Sequence, residues 1–366
     1  MRVVIAPDSF KGSIGAARAA AELAAGWRAV RPGDELICLP LADGGEGTLD
    51  VLAAAVSGAR WRRARVTGPA GQPVDCDWLE LPGGLAAVEL ARASGLPLLA
   101  APDPLGAQTT GLGQVIGHAL DAGASQLLVA LGGSAATDGG AGALAALGAR
   151  FLDQAGDPLP PGGGALAQLA AVDLAGLRPP PPGGVRSLTD VRAPLLGPAG
   201  AAAVFGPQKG AGPAQVARLE AGLAQLAGCL GGDPGAPGAG AAGGTGYGLA
   251  AAWGALITPG APELGQLAGL DQALAGARLV ITGEGRYDRT SGTGKVAGTV
   301  FAAAAAAGVP VALVAGQIAA GPPPAVRAAV ALADLAGGPG PARADPARWL
   351  RLAGQWLADR DPGAQA

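Results

Sequence analysis

Short apolar runs alternate with alanine-rich helical stretches at the start of the chain. Arg2–Ala6 (RVVIA) is the first apolar run, followed by the turn Pro7-Asp8-Ser9 and a helical pattern reaching Val30. Glu35–Pro40 (ELICLP) is a second run, then the loop ADGGEG and a helical pattern from Thr48 to about Val56. Apolar strands bounded by turns and spaced by helices predict a parallel sheet built from βαβ units. From Arg60 the pattern changes. RWRRARVTG (60–68), PVDCDWLEL (73–81) and LAAVEL (85–90) show period-two character and short Gly/Pro connections, which predicts an antiparallel segment. A helix over about 113–122 and a strand Gln126–Leu131 come next, then the loop GGSAATDGG and a small-residue helix.

The stretch 157–190 is rich in proline and glycine and reads as irregular, with a short strand Val185–Leu188 at its end. A helix is expected over 213–228. Gly231–Gly248 reads either as a mobile surface loop or as a ligand-facing one. The βα alternation then returns, with a strand Ala277–Thr282, a helix Lys295–Ala307 and a strand Val309–Ala315. One more helix–strand unit is expected over 325–335, and a terminal helix with a frayed tail over the last thirty residues. Matching βα regions at both ends of a different middle predict an α/β fold of two α/β domains. A discontinuous, doubly wound (Rossmann- or flavodoxin-like) domain, residues 1–60 and 265–366, would carry an inserted mixed α/β domain, residues 61–264. The cleft between them would be the default ligand site.

Composition narrows the class. Glycine and proline account for 97 of 366 residues, a share seen in disordered chains, but 49% hydrophobic and only 14% charged residues contradict disorder. The aromatic content of 3% means a core of Ala, Val, Leu and Gly. A net charge of −3 opposes a nucleic-acid partner. The apolar run before Asp8 is too short for a signal-peptide core, and the alanine-rich stretch 300–316 is broken by Gly308 and Pro310, so no membrane span is expected. Three scattered cysteines form neither a disulfide framework nor a zinc set and fit a cytoplasmic setting. The single histidine, His118, lies in a helical pattern.

Chemistry concentrates in glycine-rich loops placed after predicted strands: PDSFKG (7–12), ADGGEG (42–47), LGGSAATDGG (131–140), SLTDV (187–191) and TGEGRYD (282–288). Ligands of open α/β sheets bind beyond the carboxyl ends of the strands, where glycine lets the backbone approach and helix amides favour anions. Neither an intact Walker loop nor a GxGxxG fingerprint following a predicted strand is present. SGTGKV (291–296) lacks the first Walker glycine, and GLGQVIG (111–117) has the wrong spacing. Carboxylates, lysines and glycine loops without HExxH or GxSxG favour phosphoryl transfer, in which the protein positions groups and neutralises charge.

Seven segments in order, VVIAPDSFKGS (3–13), LADGGEGTLD (41–50), VTGPAGQPV (66–74), LGGSAATDGGAG (131–142), VFGPQKGA (204–211), PGAGAAGG (237–244) and LVITGEGRYD (279–288), resemble the bacterial glycerate kinases of the type lacking a MOFRL domain. The resemblance implies two α/β domains, transfer of a phosphoryl group from ATP with Mg²⁺ to D-glycerate, and 2-phosphoglycerate as the usual product. It leaves a homo-oligomer open. Asp8, Ser9, Ser134 and Asp138 would then bind substrate. Gly44, Gly45, Lys209, Gly283, Asp288 and Lys295 would hold nucleotide or phosphate, and Asp43, Glu46 and Glu284 would hold the metal. Lys11 would grip an anionic group, and Asp190 would accept the hydroxyl proton, no suitable histidine being present. Three places depart from the family pattern: Thr137 and Ala193 each stand where an Asn is usual, and Thr110 where a Tyr or Arg is usual. Two other readings are a non-catalytic glycerate or nucleotide sensor on the same scaffold and a nicotinamide-dependent enzyme, the latter opposed by the missing fingerprint.

Overall fold

The computed structural model describes residues 1–292 and 295–360. Its strands, in chain order, are β1 (Arg2–Ile5), β2 (Glu35–Cys38), β3 (Arg60–Thr67), β4 (Pro73–Leu81), β5 (Leu85–Glu89), β6 (Gln126–Ala130), β7 (Arg150–Leu152), β8 (Ala171–Asp173), β9 (Val185–Leu188), β10 (Leu256–Thr258), β11 (Leu279–Tyr287), β12 (Val311–Ile318) and β13 (Val326–Ala331). The chain divides into two compact units. One comprises Met1–Asp43, Asp50–Ser57 and the chain from Pro259 onward; the other comprises Gly44–Leu49 and Gly58–Thr258.

The first unit holds a five-stranded parallel sheet in the order β13-β12-β11-β1-β2. Counted within the unit alone, this is the flavodoxin-like order, which reverses between β1 and β11. Strand alternation sends Val3 and Ile5 to one face, where Leu23, Trp27, Leu350 and Leu357 of the helices Ala16–Val30 and Pro346–Arg360 cover them. Val4, Val280 and Val311 face the opposite layer, made by the helices Gly260–Leu267, Leu270–Leu274 and Val296–Ala307. The three central strands β1, β11 and β12 are buried on both faces along their apolar runs, which is why they read as continuous apolar stretches. The two helices of the first layer touch backbone to backbone. A Cβ on Gly26 would fall 1.9 Å from the Arg351 carbonyl oxygen, and one on Gly354 would fall 2.2 Å from that of Leu23.

The second unit holds a six-stranded mixed sheet in the order β10-β9-β6-β5-β4-β3, with a separate antiparallel pair β7-β8. β3, β4 and β5 pair antiparallel, and from β5 onward the pairing is parallel. A fold that is α/β throughout, wound in one unit and mixed in the other, therefore emerges from the alternation and from its change at residue 60.

Four expectations need correction. Gly44–Leu49, read with the first domain, packs with the second unit. Gly231–Gly248 is not a surface loop beyond its first turn: from Gly238 to Leu249 it is buried apart from Ala242, and after a left-handed turn at Ala242–Gly244 the chain is helical to Trp253. Its glycines serve close packing, since a Cβ on Gly248 would lie 2.1 Å from the Gly139 carbonyl oxygen. TGEGRYD is not a turn, because β11 runs on through Tyr287. The unit over 325–335 is a strand followed by the short helix Leu332–Ala336. The tail expected after Arg360, and Thr293–Gly294 of SGTGKV, lie outside the described residues. Among the described residues, no helix is long and apolar enough to cross a membrane.

Candidate active site

In the first unit the chemistry gathers at the point where the strand order reverses. After β1 the chain turns outward at Pro7-Asp8, and the Asp8 amide donates to the Gly283 carbonyl oxygen of β11 at 2.8 Å. Leu41, leading to Asp43, donates its amide to the Pro7 carbonyl at 3.0 Å. Asp8 accepts from the Ser9 amide at 2.6 Å. Burial, the Asp43 carboxylate and, more weakly, Glu284 push Asp8 up to about 8, against the Ser9 amide and Lys11, which favour the anion. Glu284 points from β11 and is only 8% exposed. Burial raises its proton affinity, with Ser291 and Lys295 opposing. Its Oε1 is buried and has no hydrogen-bond partner among the described residues. A crowded set of acids with one unsatisfied buried oxygen costs stability and calls for a cationic guest.

Lys11 is exposed on a turn closed by Phe10 and Ile14, whose backbones bridge at 2.9 and 3.2 Å. The helix starts only at Ala16, so Lys11 is not at a direct strand-to-helix turn as expected. Gly283 and Gly285 let this turn lie on the sheet. A Cβ on Gly283 would fall 2.2 Å from the Val314 carbonyl oxygen and 3.2 Å from the Phe10 ring, and one on Gly285 would fall 3.1 Å from the Lys11 nitrogen. Packing alone thus requires Gly283. Asp288 follows β11, with Oδ1 held by the Thr290 amide at 2.9 Å and hydroxyl at 2.7 Å, bonds that keep it below the usual carboxylate range. Lys295 is the N-cap residue of Val296–Ala307.

The second unit carries the remaining candidates. Gly44 and Gly45 run against the ends of β6 and β9: the Gly132 amide donates to Gly44 at 3.1 Å, and a Cβ on Gly44 would fall 2.8 Å from the Leu188 carbonyl oxygen. Glu46 is exposed and lies beside Gly133. Sequence reasoning missed Glu89. Buried at the end of β5, it accepts from the amides of Gly47 at 3.1 Å and Leu49 at 3.3 Å and so fixes the ADGGEG loop. Its trace in the sequence is an acid closing the apolar run LAAVE.

Asp138 is 1% exposed and fully engaged: Oδ2 accepts from the Thr109 amide and hydroxyl and the Gly142 amide, Oδ1 from the Gly140 amide. It anchors a loop and caps the helix Ala141–Ala146, leaving little capacity for the substrate role expected of it. Ser134 is buried, with its hydroxyl turned onto its own loop at Ala136. Lys209 is buried as well and donates to the Ala136 carbonyl and, at 3.3 Å, to the Thr137 hydroxyl. Asp190 is half-buried two residues past the end of β9.

The three carboxylates expected to hold the metal fall in different units. Among the described residues no three carboxylate, imidazole or thiol groups form a ready metal site, and Glu46 belongs to the second unit while Asp43 and Glu284 belong to the first. That suits Mg²⁺ all the same, since this ion commonly takes one or two carboxylates, with phosphate oxygens and waters completing its shell. Asp43, Glu284 and the unsatisfied Oε1 fit that pattern.

A wound α/β sheet with carboxylates at its switch point has the form of a ligand-binding α/β protein. Residues 3–358 match the model of the Glycerate kinase family. The chain is 42% identical over 331 residues to the glycerate kinase of Bacillus subtilis (strain 168), covering 87% of this chain and 85% of that one. It is 41% identical over 308 residues to the glycerate 2-kinase of Escherichia coli (strain K12), covering 81% and 80%. A crystal structure assigned to glycerate kinase 2 of Salmonella typhimurium LT2 superposes with a TM-score of 0.85 at 37% identity, covering 100% of this chain and 99% of that one. The chain belongs to the glycerate kinase family.

Proposed function

We propose that the chain is a cytoplasmic kinase that moves the terminal phosphoryl group of ATP to D-glycerate and forms 2-phosphoglycerate. The observation that carries this reading is the acid cluster Asp8, Asp43 and Glu284 with Lys11 at the β1/β11 switch point. Family membership supports the donor and acceptor. The name of the E. coli relative, a glycerate 2-kinase, supports the product.

Asp43 and Glu284 would hold Mg²⁺, which when bound offsets the negative charge of the triphosphate. Lys11, exposed on its turn, would bind an anionic oxygen of nucleotide or glycerate as a mobile point charge. Asp190 would orient the glycerate hydroxyl and take its proton late in transfer. Asp8, held partly neutral, can donate a hydrogen bond as well as accept one. Free cysteines fit a reducing compartment.

The test is phosphorus NMR of purified protein incubated with MgATP and D-glycerate. The 2-phosphoglycerate resonance should grow with ADP, and neither should form when glycerate or Mg²⁺ is withheld. ATP loss independent of glycerate, or none in folded protein, rejects the proposal.

A further inference from the structure

The chain has only three lysines, Lys11, Lys209 and Lys295, beside 22 arginines. Two of them are reachable by solvent, but Lys209 is 3% exposed. Its ammonium meets a carbonyl (Ala136) and a hydroxyl (Thr137), and no carboxylate among the described residues pairs with it. Burying a cation on neutral acceptors is unfavourable, and an apolar residue of similar volume would serve the core better. The turn carrying it is closed by backbone hydrogen bonds. Lys209 and Ala211 both donate their amides to Gly206, and Gly210 donates to Pro207, each at 3.0 Å.

The loop that Lys209 grips is held on other sides too. The Ala135 amide donates to Ser94 at 2.9 Å, and the Gly139 amide donates to Gly243 at 3.0 Å. Gly243 lies in a left-handed turn with Ala242 (φ 54°) and Gly244. A Cβ on Gly243 would strike the Ala136 carbonyl oxygen at 2.1 Å, the same oxygen that accepts from Lys209. A strained backbone turn and a buried ammonium thus converge on one peptide group.

We infer that Lys209 is a positioning residue: its ammonium fixes the Ala136–Thr137 peptide of the Ser134–Asp138 loop and does not touch nucleotide phosphate. The functional consequence rests on the kinase reading above; the geometric part does not. Burial lowers the lysine to about 8, with Asp138 opposing, which agrees with an ammonium kept where it is costly.

Amine acetylation of the wild-type protein, read at each of the three lysines by mass spectrometry, separates the alternatives. Lys11 should react readily and be shielded at least fivefold by MgATP with D-glycerate. Lys209 should react at least tenfold more slowly than Lys11, with or without ligand. Lys209 reacting freely and becoming shielded by MgATP overturns the inference and makes it a phosphate contact. Silence of Lys209 with no shielding of Lys11 counts against the kinase reading alone. In steady-state assays, Lys209→Met should lower kcat at least tenfold while the KM for ATP stays within threefold. A folded variant with unchanged kcat, or one whose ATP KM rises tenfold at intact kcat, also overturns it. If that variant does not fold, Thr137→Val, which removes one acceptor, should lower kcat about threefold or more without raising the ATP KM. An unchanged kcat there counts against the inference.

Discussion

The amide of Asp8 donates to the carbonyl oxygen of Gly283, 275 residues away in the chain, at 2.8 Å. This bond closes the ladder between β1 and β11 at the place where the wound sheet reverses direction. It brings an acid from the first loop of the chain beside one from its last third, Glu284. The two are near enough, with Asp43, for each charge to oppose ionisation of Asp8.

Like charges gathered before a ligand arrives should cost stability. Asp8→Asn in metal-free buffer is expected to raise Tm by at least about 2 °C at pH 7 and to lower kcat/KM at least tenfold. The sign of the pH dependence follows. An unfolded Asp8 releases its proton near its ordinary value and the folded one near 8, so the native state binds more protons between them. This contribution to stability is present at low pH and is lost as pH rises towards 8. Calorimetry of wild type and variant at pH 5 and pH 8 should show the gap between them widening with pH.

Asp190→Asn keeps the side-chain shape and removes the proton acceptor. Turnover should fall by about 10²–10⁴-fold with ATP binding nearly intact. A loss below tenfold would move the base to Asp8. Asp288 is a poor alternative, since Thr290 holds it below the usual range.

Lys11→Ala removes the ammonium of an exposed residue, so thermal unfolding should be unchanged within a degree or two. The KM for ATP or for glycerate should rise at least tenfold. Unchanged catalytic efficiency with both substrates would leave anion binding to Lys295 and backbone amides.

Lys209 titrates with the opposite sign to Asp8. Unfolded, it keeps its proton to about 10.5, whereas folded it gives it up near 8. The unfolded state therefore binds more protons in that window, and this group's contribution makes stability rise from pH 8 to 10. Lys209→Met should abolish that rise and leave the protein at least as stable at pH 7. Denaturant melts at the two pH values measure both.

Gly283→Ala tests packing against chemistry. The added Cβ meets the Val314 backbone, so a destabilisation of about 1–3 kcal/mol is expected in the absence of any ligand. A variant as stable as wild type but inactive would return Gly283 to the ligand contacts.

Period and punctuation alone marked most of the elements. RVVIA and QLLVA read as strands because strands buried on both faces are apolar without interruption, and the β3–β5 hairpins read as antiparallel because their connections are too short for a crossover. The loops holding Asp8 and Asp43 were legible as polar residues followed by glycine beyond strand ends, whereas Glu284 carried the same local pattern inside a strand. What any given glycine is for was not legible. Gly248 buries a helix against Gly139, Gly283 lets β11 lie on β12, and Gly44 rests on Leu188, and all three look alike in sequence because the demand for a missing Cβ comes from a neighbour distant in the chain. The division of labour among charged residues was likewise decided by tertiary structure. Asp138 and Lys209 sit in motifs as suggestive as that of Asp8, yet burial and hydrogen bonds commit both to holding a loop. Asp8 is left with like charges for company because two far segments meet at a strand-order reversal, a fact of topology that no local pattern encodes.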